Sequence, residues 1–197
     1  SSGGARRRAR SGATGLLGSQ IIKALLCSNR VLGTNTRIFA LVRSEQKAGQ
    51  VFGGLLSRGD LQLVYGDVSK VPECAHDIDY VIHGASATSS RYFVTNPVET
   101  ILTAVNGTAN MLAFAKQKQA KGFLYLSSLE VYGTPSQDAG LIAESYSGYI
   151  DPLKVRSSYS EGKRMVECLC ASYTAEYEVP VKIARLSQTF GAGVTYD

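Results

Sequence analysis

The feature that most limits what this chain can fold into is a run of glycines at every third position. Gly12-Ala13-Thr14-Gly15-Leu16-Leu17-Gly18 opens directly into a helical pattern. Glycine at these positions permits a tight turn and lets the backbone approach a pyrophosphate. The helix N-terminus that follows adds free N–H groups and a partial positive charge. Taken alone, such a loop also fits an ordinary turn, so the pattern behind it decides. Leu16 to Cys27 predicts a helix with Leu17, Ile21, Ala24 and Leu25 on one face. Arg37 to Val42, Leu61 to Tyr65, Tyr80 to His83, Phe123 to Leu126 and Val179 to Leu186 read as short apolar strands. Pro97, at a favoured first-turn position, opens a second helix whose Val98, Ile101, Leu102, Val105, Ala109 and Leu112 form a stripe expected to be buried. Ser158 to Tyr177 predicts a third, long helix, and residues 134–157 a loop beside the active site. Strand and helix in alternation imply a doubly wound parallel α/β sheet, with ligands at the carboxyl ends of the strands.

One segment conflicts with that plan. The strand that should precede Gly12 reads ARRRARS over residues 5–11. A central parallel strand is buried on both faces and should not hold so many unpaired guanidiniums. The segment is a remnant foreign to the fold, its residues are not the native ones, or the strand is absent. Residues 1–10 are therefore expected to be a basic tail of doubtful origin. Those arginines also account for most of the net charge of +5, which leaves the body nearly neutral and argues against a nucleic-acid partner. No apolar run approaches the roughly 20 residues of a membrane span. The four cysteines, Cys27, Cys74, Cys168 and Cys170, lack metal-ligand spacing, so no metal site is expected and they read as reduced thiols of a cytoplasmic protein.

Several polar residues fall where chemistry is expected. Asp67 closes a strand as Gly66-Asp67-Val68 and could accept a hydrogen bond from an adenine amino group, or be a plain surface-turn aspartate. At the end of the second strand an acid would hold both ribose hydroxyls of NAD. The chain has Val42 and Arg43 instead, and the Arg43 fork suits the 2′-phosphate of NADP, unless it is an ordinary solvated side chain. Tyr159 and Lys163 are four apart on a predicted helix and share a face, where a nearby ammonium would lower the phenol pKa. Ser128 and Glu130, two apart at a strand end, point the same way.

Taken together, SGATGLLG (Ser11 to Gly18), DYVIHGAS (Asp79 to Ser86), YLSSLEVYG (Tyr125 to Gly133), YSEGK (Tyr159 to Lys163) and ARLSQTFG (Ala184 to Gly191) resemble the extended short-chain dehydrogenase/reductases of the NAD-dependent epimerase/dehydratase family. The resemblance implies a Rossmann-like, NAD(P)-binding domain over residues 11–197, with the family's C-terminal substrate domain absent and this chain alone inactive. It implies that Gly12, Gly15, Leu16, Leu17, Gly18, Arg43, Asp67, Val68, Ala85 and Lys163 contact the dinucleotide. Ser86, Ser128 and Gln188 would contact a nucleotide sugar, and Ser128, Glu130, Tyr159 and Lys163 would act in catalysis. Within the family, SLEVYG and YSEGKRMVE look most like UDP-glucuronate decarboxylases and nucleotide-sugar 4,6-dehydratases. Leu129 stands where the dehydratases usually place an acid that protonates the leaving hydroxyl, which favours the decarboxylase over a 4,6-dehydratase or a 4-epimerase. The decarboxylase likeness points to NAD and Arg43 points to NADP. A homodimer is implied for the full-length protein. Ala104, Gln188 and Ala192 depart from the residues usual in the family, and a binding protein that kept the fold and lost the chemistry is the rival reading.

Overall fold

The structure, a computed structural model, describes residues 6–86, 90–138 and 140–191. Six parallel strands form one sheet: β1 (Arg6–Ser11), β2 (Thr36–Val42), β3 (Leu61–Tyr65), β4 (Tyr80–His83), β5 (Gly122–Ser128) and β6 (Val181–Leu186), in the order β3-β2-β1-β4-β5-β6. The order reverses direction between β1 and β4, as in a Rossmann-like doubly wound sheet, and that reversal opens a crevice at the carboxyl ends of the two central strands. Helices α1 (Leu16–Leu32) and α2 (Glu45–Phe52) cover one face, where Ile22, Leu26 and Phe52 pack on Ile38, Ala40 and Val42 of β2. On the other face lie α4 (Pro97–Gln117) and α5 (Ser157–Tyr177). Met111, Leu112 and Phe114 of α4 and Val166 and Cys170 of α5 are buried there against Phe39, Val81, Phe123 and Tyr125. The alternation of side chains along each strand feeds both cores.

Residues 6–10 of the expected tail instead belong to the strand at the centre of the sheet, and residues 1–5 lie outside the described residues. Arg8 aligns with Ile38 of β2 and Tyr80 of β4, and Arg10 with Ala40 and Ile82. Most of the guanidiniums are accommodated because the first half of β1 emerges at the rim. Arg7 donates its main-chain N–H to Asp79 and its Nη1 to Asp77, both at 2.8 Å. The Arg8 guanidinium lies 5.7 Å from the Tyr80 ring centroid. Arg10 goes inside. It is 2% exposed, its Nε and Nη1 find no hydrogen-bond partner among the described residues, and burial lowers its pKa to about 10. The guanidinium fits because Gly84 lacks a side chain: a Cβ there would stand 3.0 Å from Arg10 Nη2.

Local signals explain the other differences. The first helix runs on past Cys27 to Leu32 and stops at Gly33, whose φ of 62° allows its N–H to close on Asn29 O at 3.1 Å. Ser44 caps α2, which was not expected, by accepting the Lys47 N–H. A short α3 (Ser90–Thr95) precedes α4. In α4 the expected stripe divides: Leu112 is buried, whereas Val98, Ile101 and Leu102 face outward and Thr100, Ala104, Gly107 and Thr108 take the inner positions. Small residues sit there because α4 and α5 approach closely, Gly162 of α5 lying against Ala104 and Ile101. The last strand starts at Val181, two residues later than expected. Residues 134–156 carry no helix or strand among those described, only an antiparallel bridge between Thr134 and Tyr149, and α5 begins at Ser157.

Candidate active site

A cleft of about 540 Å³ opens at the strand reversal. Its floor is the loop Gly12 to Gly15, and its walls are the ends of β2 (Val42, Arg43, Ser44), β3 (Gly66, Asp67, Val68) and β4 (Gly84, Ala85, Ser86), with Lys47, Tyr92 and Thr103 around the mouth. Gly12 is required for this shape. Its φ of 67° lies in the left-handed region, and a Cβ would meet Gly84 O at 2.7 Å. Gly18 is buried behind the loop, where a Cβ would collide with Gly12 O. Helix α1 can therefore seat its N-terminus directly behind the loop, which leaves a backbone-lined cradle for a phosphate. Asp67 accepts the Ser69 N–H at 2.8 Å, and this bond, opposed by burial and helped by Arg43, holds its carboxyl below the ordinary range. Arg43 lies 3.5 Å from Asp67, its side chain largely exposed.

A polar chain beneath the loop ties β1 to β4 and α4. The Thr108 hydroxyl donates to Ala104 O at 2.6 Å, so its oxygen is left to accept from His83 Nε2 at 3.0 Å. His83 Nδ1 is then the acceptor for the Ser11 hydroxyl at 2.6 Å. Complete burial, with Lys163 and Arg10 nearby, lowers the imidazole pKa to about 3 and keeps it neutral.

A second cluster stands where β5 ends and α5 begins. Ser128 and Tyr159 are neighbours, near enough for the serine to pull the phenol pKa down. Ser128 Oγ also accepts the Glu130 N–H at 3.2 Å, in the 3-10 turn Leu129–Tyr132. Lys163 is 3% exposed, donates to Leu126 O at 2.8 Å and lies 5.7 Å from the Tyr159 ring centroid. Burial brings its pKa down to about 8, against the raising influence of Glu167 and Cys170. The expected lowering of the Tyr159 pKa is not found. Burial raises it, Ser128 and the Arg156 charge pull it down, and the Glu130 charge pushes it up. Glu130 is itself fully engaged, accepting from Arg156 Nη1 and Nη2 at 3.0 and 2.8 Å and from Ser160 Oγ at 2.7 Å. Burial pushes its carboxyl up, but those partners more than offset this and leave it ionised.

Of the residues expected from sequence, Gly12, Gly15, Arg43, Asp67, Val68, Ala85 and Ser86 line the cleft. Leu16 and Leu17 form the first turn of α1 behind it. Ser128, Glu130, Tyr159 and Lys163 form the second cluster, with Lys163 against the main chain of β5. Gln188 is exposed beyond β6, and Ala192 lies outside the described residues. Lys47, Arg156 and Phe93 were not anticipated. The signal for Arg156 was present, since it precedes Tyr159 by three and Ser160 by four, the spacings that share a helix face.

A model of the NAD dependent epimerase/dehydratase family matches residues 11–197. UDP-glucuronic acid decarboxylase 1 of Arabidopsis thaliana is 32% identical over 186 residues, 94% of this chain and 40% of that protein. UDP-glucuronic acid decarboxylase 4 of the same plant is 42% identical over 121 residues, 61% of this chain and 27% of its own length. Among solved structures, the fold matches a dTDP-glucose 4,6-dehydratase from Streptomyces venezuelae with NAD bound, at a TM-score of 0.75 and 20% identity over 91% of this chain and 55% of that one. It also matches a UDP-glucuronic acid 4-epimerase from Bacillus cereus in complex with NAD, at 0.70 and 23% over 94% and 57%. The chain thus spans about half the length of these structures and less than half that of the two decarboxylases.

Proposed function

Because the chain belongs to the NAD dependent epimerase/dehydratase family, we propose that it acts on a nucleotide sugar through a 4-keto intermediate, in the manner of a UDP-glucuronate decarboxylase. The observation that carries this reading is the Ser128–Tyr159 hydroxyl pair at the end of β5, with the Lys163 ammonium packed behind it. A nicotinamide dinucleotide, when bound, supplies the hydride acceptor. The glycine loop fits its pyrophosphate, since Cβ atoms at Gly12 and Gly18 would collide with the backbone of Gly84 and Gly12 and push the loop away from the start of α1. Tyr159, as its phenolate, takes the proton of the sugar C4 hydroxyl, which Ser128 orients by hydrogen bonding. The ketone so formed stands β to a carboxylate at C5, and loss of CO2 leaves an enolate whose oxygen faces the same two hydroxyls. Leu129, which has no ionisable group, adjoins Ser128, and decarboxylation needs no acid there for a departing hydroxyl. Glu130, held ionised, orders the turn beside them.

The dinucleotide is NAD or NADP: the matched structures carry NAD, and the rim of the cleft tilts toward NADP. Arg43, Ser44 and Lys47 line it at the end of β2, and Val42 stands where NAD enzymes of this fold place a carboxylate. Residence in the cytoplasm fits four free thiols, and among the described residues no helix is long and apolar enough to cross a membrane. Assembly as a homodimer fits the outward apolar residues of α4.

The test is turnover by the full-length protein of UDP-glucuronate, read as CO2 release. Replacing Tyr159 by Phe should lower kcat by roughly 10²-fold or more while leaving dinucleotide affinity nearly unchanged. Turnover of dTDP-glucose with UDP-glucuronate inert would make it a 4,6-dehydratase. Dinucleotide binding without turnover of either would make it a binding protein.

A further inference from the structure

Arg156 lies outside the cleft and at none of the positions expected to do chemistry, yet it contacts both Glu130 of the second cluster and Phe93, which backs Tyr159. Its two terminal nitrogens hold both oxygens of Glu130 at 2.8 and 3.0 Å, a bidentate pair that fixes direction as well as distance. Its guanidinium lies 5.0 Å from the Phe93 ring centroid. Phe93, buried on α3, is stacked on the Tyr159 ring with centroids 4.2 Å apart and planes 14° from parallel. Ser158 Oγ ties the same short helix down by donating to Phe93 O at 3.2 Å. The Tyr159 ring is thus backed by Phe93, Phe93 is backed by Arg156, and Arg156 is anchored on the turn that carries Glu130 beside Ser128.

The electrostatics follow from that placement. A carboxylate beside a phenol disfavours the phenolate, and a guanidinium beside both favours it. The groups around Tyr159 are Ser128 and Tyr125 on β5, Glu130 on the 3-10 turn, Phe93 on α3, Arg156 at the N-cap of α5 and Lys163 on α5. Of these, Arg156 alone both touches the carboxylate and packs on the ring behind the phenol. We propose that Arg156 is a positioning residue of this site: by clasping Glu130 and bracing Phe93 against Tyr159, it withholds the Glu130 charge from the phenol and holds the phenol facing Ser128. This role rests on Tyr159 being the proton acceptor of the proposed reaction.

The test is made without sugar or dinucleotide, so that it can fail independently of the substrate assignment. The full-length protein is prepared with 3,5-difluorotyrosine at position 159, whose phenol titrates well below that of tyrosine, and its titration is followed by fluorine NMR. Replacing Arg156 by Met should move that titration upward by roughly half a unit or more. Arg156→Lys should restore most of the change, and Glu130→Gln should move it downward. In the Arg156→Met, Glu130→Gln double variant most of the rise should disappear, since the withheld charge is then gone. A titration unmoved in Arg156→Met overturns the proposal. If that variant does not fold, Glu130→Gln and Arg156→Lys decide: an unmoved titration in the first, or a rise of roughly half a unit or more in the second, overturns it equally.

Discussion

His83 has no exposed atom to protonate, and each of its ring nitrogens is already committed. Its folded-state pKa of about 3 lies below the ordinary 6.5. As pH falls through 6.5 the unfolded chain gains a proton that the folded chain refuses, so stability is lost over the range from 6.5 toward 3. Asp60, Asp67, Asp79 and Glu130, all held below ordinary carboxyl values, add their losses only below about pH 4.5. Urea unfolding between pH 7.5 and 5 should therefore show a decline approaching about 1.4 kcal/mol per pH unit, and His83→Gln should flatten it. An equal slope in both proteins would assign the acid sensitivity elsewhere. At the rim of the cleft, Arg43 is shared with Asp67 and Lys47 is the second cation. Replacing both by Ala should weaken NADP binding by roughly 10-fold or more, the worth of one or two charge-assisted hydrogen bonds, and leave NAD nearly unaffected. Equal losses for the two dinucleotides would remove the case for a 2′-phosphate site.

At the scale of elements, β1 is the one strand whose sequence opposes its position. An unpaired guanidinium at the sheet centre is costly, so Arg10→Met, which keeps the length and removes the charge, should raise stability by about 1–3 kcal/mol, read as a higher urea midpoint. A lower midpoint would mean that Arg10 has a partner that only the whole protein supplies. The strand was not legible because burial was inferred from residue type. The sheet tolerates Arg7 and Arg8 through Asp77, Asp79 and Tyr80, which lie about 70 positions away and cannot be paired with them by local pattern. Strands β2 to β5, by contrast, were legible because they are apolar runs bounded by polar turns. In the candidate site, the placement of Gly12, Asp67, Ser128 and Tyr159 at strand ends and on a helix face was legible, because local pattern fixes where strands end and which residues share a helix face. The Arg156–Glu130 pair was not, since it depends on a 3-10 turn aimed at the start of α5. The stripe on α4 misled because periodicity marks an apolar face without saying what covers it.

On the scale of the whole molecule that outward face becomes informative. Val98, Ile101 and Leu102 of α4 and Met165 of α5 are each two-fifths exposed or more, on two helices that already pack side by side. A two-fold axis beside them would bury the same patch from each copy. The full-length protein should sediment as a dimer, and Val98→Glu with Leu102→Glu should return it to monomer. A monomeric parent, or a dimer that survives both changes, would place the contact elsewhere. The sheet order carries a further consequence, for the time before the fold exists. β1 is the first strand of the described chain and lies at the centre, yet Ser11 must wait for His83, 72 positions later, before its second neighbour arrives. Parallel pairing at such separation is slow, and an unpaired apolar strand left waiting is a template for aggregation. An arginine-rich strand is a poor template, because like charges repel a second copy. The guanidiniums that burden the finished sheet should thus protect the folding chain from self-association, and Arg10→Met should lose refolding yield at high protein concentration even as its native state gains.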